Sequence, residues 1–284
     1  RDQWAFARVE NESVVPDMTR VYLETGFEPH LIYEVIYQGE NPEIIGLGLA
    51  GIRDAVSLFK YGSMDELNLS VGVGRRVVGY GMSQPGRTLR TFVYMGFNED
   101  EDSRKAFDGI IAQIGGAARG SFNLRFGQAS RDAHHYLNFL YPTDIFPFAD
   151  IEMTDPVTGQ TDSMLERVPE EFRPKVYNVN SSYEYWGRAV SLLTTNLDGT
   201  EDIPMMEDDA RVYHLAGAEH LPAAFPPEVE NGQNPNNPND FSWLMRALLV
   251  RMNDWVTDGT PAPPSVYPRI DDGSLVTVDA FDFP

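Results

Sequence analysis

The stretch VVGYGMSQPGRTLRTF, residues 77–92, joins a short apolar strand to a helical pattern with one serine between them. The strand ends at the glycine-rich GYG, Ser83 follows, and a helix is predicted over residues 85–95. A serine on so tight a strand-to-helix turn holds its hydroxyl out toward solvent, as in a nucleophile elbow. The next backbone N–H, on Gln84, points into the same space and can stabilise a developing oxyanion.

This elbow departs from the usual pattern at one position. The form G-x-S-x-G has its second glycine two residues after the serine, where this chain has Pro85, and Gly86 comes one step later. Proline is accepted in a first helical turn, where its missing N–H would have no partner. The alternative is that Ser83 only caps the helix. The strand–helix context favours the elbow.

Strands and helices alternate along the chain. Strands are predicted over residues 19–23, 31–39, 75–81, 175–180 and 210–217. Helices are predicted from residue 41 onward and over residues 85–95, 185–195 and 241–256. This alternation predicts an α/β fold with a mostly parallel sheet flanked by helices. The length of 284 residues favours one domain over residues 1–284, with two smaller domains as the alternative. Periodicity fades over residues 117–173, which predicts a loop-rich lid or pocket wall within that domain.

The composition excludes several classes of partner and chemistry. Asp and Glu outnumber Lys and Arg by 43 to 22, and a net charge of −21 argues against nucleic acid or an anionic membrane as partner. There are no cysteines, which excludes disulfides, thiolate catalysis and cysteine-ligated zinc. No run approaches the roughly 20 apolar residues of a membrane span. The sequence begins at Arg1 and leaves the compartment open, a secreted or periplasmic protein with a removed signal peptide included.

A serine nucleophile needs a base, and one of the five histidines is well placed for that role. His220 follows the carboxyl end of the predicted strand 210–217, the edge at which catalytic residues of open α/β sheets gather. The alternative is an ordinary loop histidine. The other histidines lie in a strand–strand turn, in the irregular segment or within a strand: His30, His134, His135 and His214.

The acid that orients the base is selected by the same edge. Glu184 comes shortly after the predicted strand 175–180, at its carboxyl end. Asp198 and Asp202 follow the predicted helix 185–195, which at ~1.5 Å per residue carries the chain toward the opposite edge. Residues 207–209 precede the predicted strand 210–217 and so lie at its opposite end. Glu219 is directly adjacent to His220 in sequence, so its side chain more easily points elsewhere. The sequence therefore favours Glu184, whose alternative role is an exposed carboxylate stabilised by a helix N-terminus.

Seven segments together carry a family resemblance over most of the chain. They are GLGLAGIRDAVSLFKY, GYGMSQPGRTLRTFVYMGFNEDE, FDGIIAQIGGAARGSFNLRFGQ, YPTDIFPFAD, NSSYEYWGRAVSLL, RVYHLAGAEH and WVTDGTPAPPSVYPR. In these the chain resembles a bacterial family of alpha/beta hydrolase domain-containing proteins, a branch of the serine esterase superfamily. The resemblance implies the alpha/beta hydrolase fold, with Ser83 as nucleophile, His220 as base and Glu184 as acid. It leaves the second oxyanion donor open, either outside the chain or within residues 18–27.

Further side chains are candidates for substrate contact. Tyr183, Tyr185 and Trp186 flank the proposed acid and either line the site or pack on the sheet. Arg125 and Arg131 lie in the irregular segment and either bind a substrate carboxylate bidentately or pair with local acids.

No metal or cofactor is expected. His134 and His135 are adjacent, so their side chains face apart, and the sequence offers no third ligand for them. The sequence predicts a serine hydrolase that acts on a small-molecule or carbohydrate-linked carboxylic ester. The alternatives are a non-catalytic binding or scaffold protein on the same fold and an acyltransferase that uses the same three residues.

Overall fold

The computed structural model describes residues 4–31, 33, 35–41, 46–62, 76–122, 144–230 and 232–281. The chain forms two compact units, Arg1–Ile44 and Ile45–Pro284. The prediction of one domain over residues 1–284 stays a prediction, and so does the insertion over 117–173, of which residues 123–143 lie outside the described part.

The first unit contains a β-hairpin. β1 (Trp4–Glu10) pairs antiparallel with β2 (Ser13–Leu23), which contains the predicted strand 19–23. The two turn residues, Asn11 and Glu12, have φ of 48° and 62°, the left-handed geometry of the tight turns that fit the twist of paired strands.

The strand predicted over residues 31–39 is wrong for the residues that the structure describes. Leu31, Tyr33 and residues 35–39 belong to no strand, and Ile36 is 76% exposed. β-branched and aromatic residues favour a strand only where a neighbouring strand completes the hydrogen-bond ladder and a core covers one face.

The second unit is built on a four-stranded parallel sheet. The described residues of this unit form eight strands, which in chain order are β3 (Val78–Met82), β4 (Gly109–Gln113), β5 (Arg119–Gly120), β6 (Asp144–Ile145), β7 (Met153–Thr154), β8 (Thr161–Asp162), β9 (Lys175–Ser181) and β10 (Ala210–Leu215). The sheet order is β10–β9–β4–β3, with every neighbouring pair parallel, while β5–β6 and β7–β8 are short antiparallel pairs. The predicted α/β fold with a mostly parallel sheet is confirmed.

Four α-helices and three 3₁₀ turns complete the described elements. The helices are α1 (Leu47–Tyr61), α2 (Gln84–Tyr94), α3 (Ser182–Gly187) and α4 (Ser242–Asp258), and the 3₁₀ turns are Glu170–Phe172, Val190–Leu193 and Val278–Ala280. Helix α4 begins as expected after a polar loop, where the Asp240 carboxylate accepts the N–H of Ser242 at 2.8 Å. The helix predicted from residue 41 begins only at Leu47.

The helix predicted over residues 185–195 is wrong. Helix α3 ends at Gly187, and Ala189 has a left-handed φ of 52° before the 3₁₀ turn Val190–Leu193. Contacts with a distant loop explain the break, because the carbonyl of Arg188 accepts the N–H of Ala117 and its guanidinium binds Asp144. These interactions outweigh the helical periodicity of the segment.

Apolar side chains alternate between the two faces of the sheet. On one face Ile111 and Tyr177 pack with Met252 and other residues of α4. On the other face Ile110 packs with Phe92 of α2. The sheet is therefore covered on both sides, as parallel sheets generally are, and all four strands end at the same edge with Met82, Gln113, Ser181 and Leu215.

Candidate active site

The chain turns sharply at Ser83, directly after β3 and before α2. Ser83 has φ 61° and ψ −124°, a backbone conformation that costs a non-glycine residue of the order of 1–3 kcal/mol. Its N–H donates to the carbonyl of Gln113 at 2.8 Å, which anchors the turn on the end of β4. Within the described residues its hydroxyl makes no capping bond to α2, so the strained turn presents the side chain outward instead.

Two glycines, Gly81 and Gly86, allow this turn to close. The elbow pattern has its second glycine at position 85, and in this chain Gly86 makes that close approach instead. A Cβ on Gly81 would lie 2.5 Å from the backbone carbonyl of Pro85. A Cβ on Gly86 would lie 2.9 Å from the carbonyl oxygen of Gly81 and 3.2 Å from that of Gln113. The strand and helix therefore approach closely despite Pro85, which sits in the first turn of α2 where no N–H is needed.

The structure brings the three predicted polar residues together. Ser83 Oγ lies 2.8 Å from Nε2 of His220, and His220 Nδ1 lies 2.6 Å from Oε1 of Glu184. The Glu184 side chain is fully buried, whereas that of His220 is 34% exposed. A hydroxyl, an imidazole and a carboxylate thus form one hydrogen-bonded chain that ends at the protein surface.

Both carboxylate oxygens of Glu184 are occupied. While Oε1 faces the imidazole, Oε2 accepts the Ser181 N–H at 2.8 Å and the Ser181 hydroxyl at 2.6 Å. These bonds form a capping box at the start of α3, and they satisfy a buried charge that would otherwise be costly. Sequence reasoning missed Ser181, although the S-x-x-E spacing of residues 181–184 is the signal that finds it.

The loop that carries His220 is tied to its surroundings. Gly217, with φ 69°, donates its N–H to the hydroxyl of Ser182 at 2.9 Å, and its carbonyl accepts from Asn237 at 2.7 Å. The Ser182 hydroxyl also lies 3.4 Å from Nε2 of His214, a residue whose pKa is lowered by burial. The start of the helix that bears the acid is therefore linked directly to the loop that bears the base.

The other carboxylates considered from sequence lie elsewhere. Asp202 accepts the N–H groups of Ile270 and Asp271, so it serves the C-terminal segment. Asp198 binds Thr200 in an exposed turn, and Glu219 is exposed. The predicted helix over 185–195 is broken and so does not explain why Asp198 and Asp202 lie away from His220; their own contacts do.

The aromatic residues around the acid have different environments. The exposed ring of Tyr183 meets the imidazole of His220 edge-on, with 5.5 Å between ring centroids. Trp186 is 68% exposed and contacts Phe281. Tyr185 turns inward, with its ring 4.7 Å from that of His214, and burial raises its pKa. Packing is the role that the position of Tyr185 fits.

The described part of the predicted pocket wall is held by a buried arginine. Arg90 of α2 donates to the carbonyls of Ala117 and Phe148 and pairs with Asp150 at 3.4 Å. Burial lowers the pKa of Arg90 and raises that of Asp150, as expected for charges removed from water. The predicted substrate contacts Arg125 and Arg131 lie outside the described residues, as do His134 and His135.

In the ranges that the structure describes, no cluster of three or more metal-ligating side chains is arranged to hold an ion. Over the same residues, no helix combines the length and apolar character needed to cross a bilayer.

A parallel sheet with a serine elbow, an acid and a histidine at the carboxyl ends of three of its strands is the arrangement of an alpha/beta hydrolase. The chain belongs to the alpha/beta hydrolase domain family, whose model matches residues 44–283. The predicted family is confirmed, while its bacterial origin stays a prediction. Neither a curated protein nor a solved structure matches the chain.

Proposed function

We propose that the protein is a serine hydrolase that cleaves carboxylic esters through Ser83, His220 and Glu184. The observation that carries this proposal is the continuous hydrogen-bonded chain from Ser83 Oγ through the imidazole to the buried carboxylate, with distances of 2.8 and 2.6 Å. Nucleophile, base and orienting acid each lie within hydrogen-bonding reach of the next, which is the geometric requirement for activating a serine.

In the first half-reaction, Ser83 Oγ attacks the ester carbonyl carbon while His220 Nε2 takes the hydroxyl proton. The tetrahedral oxyanion accepts a hydrogen bond from the N–H of Gln84. Because Gln84 is the first residue of α2, this N–H has no partner within the helix. The bond between the acyl carbon and the alcohol oxygen then breaks, and Nε2 returns the proton to that oxygen. An acyl group remains on Ser83.

In the second half-reaction, water attacks the acyl carbon and gives a proton to His220 Nε2. The bond between the acyl carbon and Ser83 Oγ then breaks, Nε2 returns the proton to Oγ, and the carboxylic acid is released. Throughout, the Glu184 carboxylate holds the Nδ1 proton, so that Nε2 stays free to accept, and it stabilises the imidazolium when that forms. The exposed ring of Tyr183 borders the imidazole and is proposed to contact the substrate, together with Trp186.

Labelling with a fluorophosphonate probe tests the proposal. The wild-type protein should react at Ser83, the Ser83→Ala variant should not, and the exposed Ser274→Ala variant should react like wild type. Peptide mass spectrometry locates the adduct. A wild-type protein that neither labels nor turns over any of a panel of p-nitrophenyl esters would contradict the proposal and favour a binding or scaffold role.

Product analysis separates hydrolysis from acyl transfer. The proposed hydrolase releases free acid from a p-nitrophenyl ester even with added alcohols present. A predominance of new esters over free acid would instead indicate an acyltransferase, because both reactions share the acyl-enzyme.

A further inference from the structure

A cavity of about 370 Å³ opens beside the candidate site on the face of the sheet that α4 covers. Its wall includes Met82, which directly precedes Ser83, and Leu221, which directly follows His220. The remaining wall comes mainly from the beginning of α4, including Met245 and Leu249. The neighbours in sequence of both the nucleophile and the base therefore line the cavity.

The side of the sheet on which the cavity lies follows from strand geometry. Successive side chains of a strand point to opposite faces. A Cβ on Gly79 would meet Leu89, and one on Gly81 would meet Pro85, so these two positions face α2. Tyr80 and Met82 consequently face the other side, where they are 52% and 42% exposed and line the cavity. Helix α2, which begins at Gln84, and this cavity thus lie on opposite sides of β3.

Most of the surface of the cavity wall is apolar, although Asp240, Ser242 and Arg246 also line it. Two pairs of its polar residues are hydrogen-bonded to each other: the Tyr80 hydroxyl donates to Oε1 of the buried Gln113, and the Asp240 carboxylate accepts the N–H and the hydroxyl of Ser242. Leu221, Phe241 and Leu249 add hydrocarbon surface. A sugar would bury several hydroxyls without partners against the hydrocarbon part of this wall, at a cost in free energy. The volume lies at the lower end of the range for small-molecule sites, which fits one alkyl or aryl group.

We propose that this cavity binds the alcohol portion of the ester and that the preferred substrates are esters of apolar alkyl or phenylalkyl alcohols. This inference rests on the proposed function. The leaving oxygen must lie within reach of His220 Nε2 to receive its proton, and the wall that continues from His220 is formed by Leu221 and Pro222. A group attached to that oxygen enters the cavity, while the carbonyl oxygen is held on the α2 side by Gln84.

Two matched series of esters test the assignment. In the first the acyl group is acetyl and the alcohol grows from methyl to hexyl; in the second the alcohol is methyl and the acyl chain grows from acetyl to hexanoyl. Acid release is followed by titration at constant pH. In the first series kcat/KM is expected to rise roughly threefold to fourfold per methylene until the cavity is filled, with a flatter dependence in the second.

Leu249→Trp fills the cavity from α4, and Val250→Trp is the matched control. Both side chains are partly exposed, at 48% and 59%, but only Leu249 lines the cavity. The ratio of kcat/KM for hexyl acetate to that for methyl acetate should fall at least tenfold in Leu249→Trp and stay unchanged in Val250→Trp. If Leu249→Trp does not fold, as judged by circular dichroism, the smaller Leu249→Phe gives the same comparison.

The outcomes separate this inference from the proposed function. If Leu249→Trp alters the acyl series and leaves the alcohol series unchanged, the cavity holds the acyl group and the assignment is overturned. If neither series responds, the cavity is not part of the substrate site. Absence of both ester turnover and fluorophosphonate labelling in the wild-type protein would refute the proposed function, and this inference with it.

Discussion

Replacing Glu184 by glutamine keeps the shape of the side chain but changes which of its atoms can accept a hydrogen bond. In the native arrangement Oε1 lies 2.6 Å from His220 Nδ1, and Oε2 accepts both donors of Ser181 at 2.8 and 2.6 Å. A glutamine offers one oxygen and one NH₂ group. Because the Ser181 N–H can only donate, we expect the amide oxygen to face Ser181 and the NH₂ to face the imidazole.

The size of the effect follows from the tautomer that this orientation imposes. With an NH₂ group facing it, Nδ1 must act as acceptor, so the neutral ring carries its proton on Nε2 and cannot take the proton of Ser83. The opposite orientation would set the NH₂ against the Ser181 N–H and leave buried donors unpaired, at about 1–3 kcal/mol. The equivalent acid-to-amide change in a well-studied serine protease triad lowers kcat about 10⁴-fold, and we expect a loss of at least about 10³-fold, roughly 4 kcal/mol.

The assay is steady-state hydrolysis of p-nitrophenyl acetate by wild type, Glu184→Gln and the control Glu219→Gln. Glu219 adjoins His220 in sequence but is exposed, so its variant should keep wild-type kcat. Circular dichroism confirms that each variant is folded. A folded Glu184→Gln protein with kcat within tenfold of wild type would refute the assignment of this carboxylate as the orienting acid.

Three further predictions concern pH and packing. Esterase activity should decline in acid, because a protonated imidazole cannot accept the Ser83 proton; a flat profile of kcat/KM between pH 5 and 8 would contradict a histidine base. Gly81→Ala should lower the free energy of unfolding by roughly 1–3 kcal/mol, since its Cβ would meet the Pro85 carbonyl at 2.5 Å, whereas Gly48→Ala, with nothing within 4 Å, should be neutral or stabilising in urea titrations. Burial lowers the pKa of His214 below the ordinary value of 6.5, so as the pH falls the unfolded chain takes up the proton first. The contribution of His214 to stability is therefore full above about pH 6.5 and declines at lower pH. His214→Gln should lose part of this decline, and urea midpoints of wild type and variant with an identical pH dependence would argue against it.

Local sequence carried most of the information about the candidate site. The strand–serine–helix order of residues 77–92 predicts the turn at Ser83, and the edge rule for parallel strands selects Glu184 and His220. These inferences need only short-range periodicity and the fact that parallel strands end at a common edge. The partner of Glu184 was accessible in the same way, because a capping box is a four-residue pattern beginning at Ser181.

Other features depended on contacts between residues far apart in the chain. The break after Gly187 arises from the contacts of Arg188 with Ala117 and Asp144. The described residues of 31–39 lack a pairing strand, which no local pattern reveals. The cavity beside β3 is lined by residues from β3, the His220 loop and α4, three segments that only folding brings together.

The resemblance of seven segments to known sequences predicts the family, and residue types and their spacing alone predict the fold class and the three polar residues of the candidate site. Their distances, the burial of the Glu184 carboxylate and the apolar cavity came from the folded chain. The reason is physical: strand and helix preferences are encoded within a few neighbouring residues, whereas the contact between Ser83 and His220 spans 137 positions. Such a contact is set by the packing of helices on both faces of the sheet, to which the whole second unit contributes.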